Sequence, residues 1–165
     1  MKSIIFLIVV VAALATSFVF VGFVSPVEQK TEFSKEFNCS KEKLWSKVSD
    51  LEFYKNLKED IVKVVELDKN GKVWNMFSRT GICTKYEIIE SEPGEKLVLK
   101  VTNADLGVES LRTYQLYGNG ETSVITIKEN KKVEPILLRS TLAISGSNSF
   151  AEKEIDNLYG IIGIK

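Results

Sequence analysis

An arginine set into a strand of alternating residues is the first group in this sequence that asks for a chemical explanation. Arg112, Tyr114 and Leu116 lie two apart, the spacing of one strand face, so the guanidinium shares its side with a phenol and an apolar chain. A charge there must pair, carry its head to water on its long stem, or meet an anionic ligand. Tyr86, Ile88 and Leu99 fall on similar alternating faces, and Leu138 and Leu142, four apart, add a helical pair. Together these eight residues are candidates to line a cavity. Arg112 at its mouth could hold an anionic or carbonyl head group, while Tyr86 and Leu142 touch an apolar body. Methionine at position 112 would keep the apolar stem, so the expected loss is binding of acidic ligands rather than stability. The same residues also read as ordinary core, with Arg112 snorkelling from a sheet edge.

Composition removes other chemistries. The chain has no histidine, hence no common general base, no usual zinc ligand and no ordinary serine or cysteine triad. Cys39 and Cys83 have no metal-ligand spacing and read as two small buried thiols, able to pair if the domain is exported. Glu87 and Glu109 follow no spacing that singles out an acid–base pair. Gly118-Asn119-Gly120 is a hairpin turn, not the opening of a phosphate-binding helix. Basic and acidic residues number 22 each and are scattered, which leaves no electrostatic footprint for nucleic acid. Neither a cofactor nor a metal is expected. Lys35 shares the Phe33/Phe37 face and reads as a rim residue, while Trp45 and Trp74 read as packing.

The elements that must position these groups follow from periodicity. Ser3 to Val24 carries no charge, and a helix needs ~20 such residues to cross a bilayer core. Ala13-Leu14-Ala15 imitates a signal cleavage site, but the apolar run continues to Val24, beyond the ~7–15 residues of a signal-peptide core. Residues 1–26 are therefore read as a retained single-pass membrane anchor, 27–30 as a polar spacer and 31–165 as one domain. The flanking lysines leave the side of the membrane open. The domain is expected to fold without the anchor, as a monomer.

Thr31 to Asn38 alternates as a strand. Asn38-Cys39-Ser40 supplies the cap chemistry of one short helix and Asp50 caps a second, carrying Leu51, Tyr54 and Leu57. A meander follows through turns at Asp68–Gly71, Glu92–Glu95 and Gly118–Gly120, with its last strand over Val124 to Lys128. Glu134 to Tyr159 reads as a C-terminal helix. Its apolar sets, Leu138 with Leu142 and Ala151 with Ile155, Leu158 and Ile162, are out of phase. Ser145 to Ser149 lies between them, predicting a kink or break with Ser147 or Asn148 capping the second half. Short connections predict sequentially neighbouring antiparallel strands in one bent sheet, with the helix on one face, an α+β arrangement.

Phe37 to Asp50 (FNCSKEKLWSKVSD) resembles the opening of the START-like superfamily, also called SRPBCC or polyketide cyclase/dehydrase-like. Glu90 to Leu99 (ESEPGEKLVL) is similar to that group's strand–turn–strand, Gly118 to Val124 (GNGETSV) to its Gly-rich hairpin, and Pro135 with Arg139 to the start of its gripping helix. Tyr54 and Leu57 stand where a tryptophan-rich stretch is common. The resemblance implies a helix-grip fold with a deep apolar cavity for lipids, sterols, polyketides or other hydrophobic ligands. Three functions are then open: a membrane-tethered module binding a hydrophobic small molecule or lipid, a cyclase- or dehydratase-like enzyme using the same cavity, and a non-catalytic protein-interaction domain. Fold alone does not choose among them.

Overall fold

The computed structural model describes residues 2–56, 60–145 and 150–162. A long helix, α1 (Lys2–Val24), precedes β1 (Glu28–Phe37), two short helices α2 (Lys41–Val48) and α3 (Leu51–Asn56), and six strands: β2 (Ile61–Glu66), β3 (Val73–Ser78), β4 (Cys83–Glu92), β5 (Lys96–Asn103), β6 (Val108–Asn119) and β7 (Thr122–Val133). Two helices, α4 (Ile136–Ser145) and α5 (Phe150–Ile162), end the described chain. Leu57, read as part of the second short helix, lies outside the described residues.

All seven strands join one antiparallel sheet in the order β1-β7-β6-β5-β4-β3-β2. The meander is sequential, as its short turns require, but β1 pairs with the last strand rather than with β2. Helices α2 and α3 carry the chain between these two edges. Ser40 opens α2 by accepting the Lys43 amide, and Asp68 holds the β2–β3 hairpin by accepting the amides of Lys72 and Val73 through Oδ1. Gly71 takes a positive φ of 64° there, which a side chain would oppose.

One face of the sheet packs α2, α3 and α5. Leu44 and Val48, Phe53 and Tyr54, and Ala151, Ile155, Leu158 and Ile162 meet inward residues of the strands in a single core. Fully burying each aliphatic side chain contributes roughly 1.5–3 kcal/mol. The stripe of α5 thus lies where its spacing predicts.

Two boundaries differ from expectation. Residues 28–30, read as spacer, are the first rungs of β1, opposite Lys132, Lys131 and Asn130. Only residues 25–27 separate α1 from the sheet. The expected C-terminal helix is two helices with different partners, which explains the phase jump between their apolar sets; the cap at Ser147 or Asn148 falls outside the described residues. Helix α5 lies on the sheet, whereas α4 packs against α1. Gly22 sits against the Ile136 carbonyl and the Ser140 hydroxyl, an approach that leaves no room for a Cβ. Arg139 Nε donates to the Gly22 carbonyl at 2.9 Å, and its Nη1 to the carbonyls of Val133 and Glu134.

Removal of residues 1–26 is expected to leave the sheet and α5 cooperatively folded, since their core contains no residue of α1. Helix α4 should lose its amide protection in hydrogen exchange. Equal protection of residues 140–145 with and without α1 would contradict this division.

Candidate functional site

Alternation on β6 turns Ser110, Arg112, Tyr114 and Leu116 inward, all buried. Sheet register supplies the first partner: Arg112 stands opposite Glu129 on β7, and its Nε donates to Glu129 Oε1 at 2.9 Å. The second partner comes from above. The Tyr114 hydroxyl lies 2.8 and 2.9 Å from the two carboxylate oxygens of Glu154, which α5 presents from within its apolar stripe. Glu154 is 1% exposed and Tyr114 0%.

Burial dominates the electrostatics. It pushes the Glu154 carboxyl up to about 7, against the pull of the Arg112 guanidinium and the Tyr114 hydrogen bond, with Glu129 adding to the rise. Tyr114 and Tyr54 are raised well above the usual phenol range, by burial first and by the Glu154 charge second. Burial opposes ionisation of Arg112, but Tyr86, Tyr114, Glu129 and Glu154 around it more than offset that, so it stays charged. Glu154 therefore populates both protonation states near neutrality while Tyr114 remains a phenol. Such a couple can pass a proton to or take one from a group bound beside it.

An aromatic wall stands near the cluster. Trp74 and Tyr86, opposite each other on β3 and β4, stack at 5.5 Å with planes 4° apart, and Tyr54 of α3 leans on both at 6.0 and 6.1 Å. The Tyr54 hydroxyl donates to the Val48 carbonyl at 2.6 Å. Two buried polar atoms here, Trp74 Nε1 and Glu129 Oε2, have no hydrogen-bond partner among the described residues. Such orphans are uncommon in folded interiors.

Of the eight residues singled out from sequence, Tyr86, Leu99, Arg112, Tyr114 and Leu116 are together on this buried face, and Ile88 packs partly buried beside it. Leu138 and Leu142 do not join them. They ride on α4, outside the core, because α4 packs against α1 while α5 packs on the sheet. Arg112 is also corrected. It is buried against an internal carboxylate rather than standing at a mouth, so its replacement strands a buried charge. Four clefts of about 270, 360, 430 and 480 Å3 open on the surface, and none of the four is lined by Tyr86, Ile88, Leu99, Arg112 or Tyr114; Leu116 contributes to one.

Glu129 and Glu154 were missed for different reasons. The last strand was read as ending at Lys128, one residue short of Glu129, because the following EN-KK run is highly polar. Glu154 was visible as the one acid spaced three from Ala151 and four from Leu158, inside the apolar stripe. Lys35, read as a rim residue, bridges Asp156 at 3.4 Å and lies 4.2 Å over the Tyr159 ring, clasping α5 to β1. Both cysteines are free; Cys39 is buried and Cys83 half-buried.

Comparison with solved structures gives this architecture its class. Norcoclaurine synthase from Thalictrum flavum superposes with a TM-score of 0.65 at 16% identity, over 86% of this chain and 98% of that one. A START superfamily protein from Mycobacterium smegmatis gives 0.61 at 15%, over 81% and 97%. The di-domain ARO/CYC protein StfQ from the steffimycin biosynthetic pathway gives 0.61 at 11%, over 83% of this chain and 52% of that chain. Searches against family models and against curated proteins return no match. The fold is the START-like helix-grip fold, here preceded by a long apolar helix.

Two outcomes follow from the cluster. Arg112→Met should destabilise the domain by about 3–5 kcal/mol, because it leaves Glu129 buried without its cation, and adding Glu129→Leu should recover most of the loss. Urea denaturation of the three variants checks this; additive losses would contradict it. Folded Glu154 holds its proton more tightly than the unfolded chain, so its contribution is complete below about pH 4.5 and is lost as pH rises to about 7. Stability should therefore fall across that window by on the order of 3 kcal/mol in the parent chain. Glu154→Gln should flatten that slope.

Proposed function

We propose that this chain is a membrane-tethered START-like domain that binds a hydrophobic small molecule or lipid between its sheet and α5. Helix α1, with a mean hydropathy of 3.0 over 18 residues, serves as the tether. With 23 residues at ~1.5 Å each it is roughly 34 Å long, enough to cross a hydrocarbon core of about 30 Å. Residues 25–27 are all that lie between it and β1, so β1 starts within about 10 Å of the end of the span and the domain stays beside the bilayer that supplies its ligand.

The observation that carries this reading is the buried Glu154 carboxyl on the Tyr114 hydroxyl, with an aromatic wall on the same sheet face and two polar atoms of that interior, Trp74 Nε1 and Glu129 Oε2, without a hydrogen-bond partner among the described residues. A ligand with a polar end would satisfy them while the aromatic wall takes its body. The interior side chains are packed, so entry requires α5 to lift, and its clasp to the edge strand is the exposed Lys35–Asp156–Tyr159 contact. The named activities of norcoclaurine synthase and StfQ show what the same fold supports elsewhere. One observation favours a second reading, a cyclase- or dehydratase-like enzyme: the Tyr114–Glu154 couple is poised to move a proton near neutral pH.

Native mass spectrometry of the detergent-extracted chain should find a bound hydrophobic compound. Tyr114→Phe and Glu154→Gln should each weaken its binding by about tenfold, the value of a hydrogen bond to a charged group. No bound compound, and no protection of α5 amides by fatty-acid, sterol or aromatic polyketide probes, would defeat the binding reading.

A further inference from the structure

Helix α4 is unlike every other helix of the soluble part. Its exposed side is apolar, with Leu137 59% and Ile144 62% exposed, whereas the outer side of α5 carries Lys153, Asp156 and Asn157. A ten-residue helix on the surface of a water-soluble domain normally shows charge to the solvent. Helix α4 has a single charged residue, Arg139, and that one is turned inward and buried.

Three of its polar side chains are satisfied by backbone carbonyls. Ser140 and Thr141 donate to the carbonyls of Ile136 and Leu137 one turn back, as Thr16 and Ser17 of α1 donate to Ala12 and Ala13. Arg139 closes the carbonyls of Gly22, Val133 and Glu134. Ser25 donates both its amide and its hydroxyl to the Val21 carbonyl. Carbonyls of the last turn of α1 are thus capped by Arg139 of α4 and by Ser25, as backbone in hydrocarbon must be capped. Gly22 lets the two backbones touch, the small-residue contact of helices packed in lipid. The covered residues of α1, Phe18, Val21 and Gly22, with Ser25 just after it, lie in its last two turns, on the helix that packs against α4, and the rest of α1 is exposed and mostly apolar.

We propose that α4 is embedded in the bilayer beside α1, presenting Leu137, Ala143 and Ile144 to lipid acyl chains. Its ten residues span about 15 Å, half the hydrocarbon core, so it occupies one leaflet and does not cross. The proposal rests on α1 being in a membrane. It makes the α1–α4 pair a two-point footing that fixes the domain's tilt on the bilayer.

The test uses the full chain with Cys39→Ala and Cys83→Ala, reconstituted in phosphatidylcholine vesicles. Single cysteines at Leu137, Ile144, Val11 and Lys69 carry an environment-sensitive fluorophore, read against lipids bearing nitroxides on their acyl chains. Val11 reports the anchor, and Lys69, on the β2–β3 hairpin at the opposite edge of the sheet, reports water. Leu137 and Ile144 should be quenched about as strongly as Val11, and Lys69 not at all. Quenching at Val11 with Leu137 and Ile144 as dark to the nitroxides as Lys69 would overturn the proposal and leave the anchor intact. No quenching at Val11 would overturn the anchor and the proposal with it. Should the cysteine-free chain fail to fold, a photo-reactive amino acid at Ile144 in the otherwise unchanged chain gives the same decision: a lipid adduct supports the proposal, and an adduct to a second protein overturns it.

Discussion

Burying Glu154 is the constraint on which the interior depends. A carboxyl taken out of water costs several kcal/mol unless it is hydrogen-bonded, neutralised or both. Here the Tyr114 hydroxyl and the Arg112 charge stabilise the anion, burial and Glu129 favour the acid, and the balance leaves the group near neutrality. Arg112 in turn needs Glu129, which the β6–β7 register places directly opposite. Four side chains from two strands and one helix therefore rise or fall together, and the docking of α5 is tied to them. Replacing one member strands the others; this is why the cluster is better understood as a unit than as a list of contacts.

The same cluster gives the domain its asymmetry. Apolar packing by Ala151, Ile155, Leu158 and Ile162 would hold α5 at any orientation that buries the stripe, whereas the Tyr114–Glu154 contact admits one. Lys35 adds a solvent-exposed clasp of little energetic weight, the kind of contact that can open without cost to the rest. A strong polar anchor in the middle of the helix and a weak one at its edge describe an element able to lift at one side while keeping its register.

Much of this was legible in the sequence because strand faces are read by alternation. Arg112, Tyr114 and Leu116 share a buried face as their spacing requires, Tyr86 and Leu99 join them, and the α5 stripe falls on the sheet. What alternation does not give is where polar edge strands stop. Glu28, Gln29 and Lys30 read as a spacer because an edge strand half in water carries polar residues, whereas Glu129, on the interior strand β7, is a buried charge that polarity alone does not mark as inward. Periodicity also says that a helical face is apolar without saying what it faces. The spacing of Leu138 and Leu142 points to the sheet when their helix lies on α1, and nothing in a ten-residue window separates protein core from the flank of a long apolar helix.

The direct measure of the central claim is the titration of Glu154 itself. Side-chain carboxyl carbon shifts of the full chain in detergent micelles, with Glu154→Gln identifying the resonance, report that one group across pH. The account requires a midpoint of about 7 that falls when Tyr54, Trp74 and Tyr86 are opened to water by raised urea. A midpoint at the ordinary 4.5 in the folded protein would mean that Glu154 is solvated, and the buried cluster would no longer explain the fold or the site.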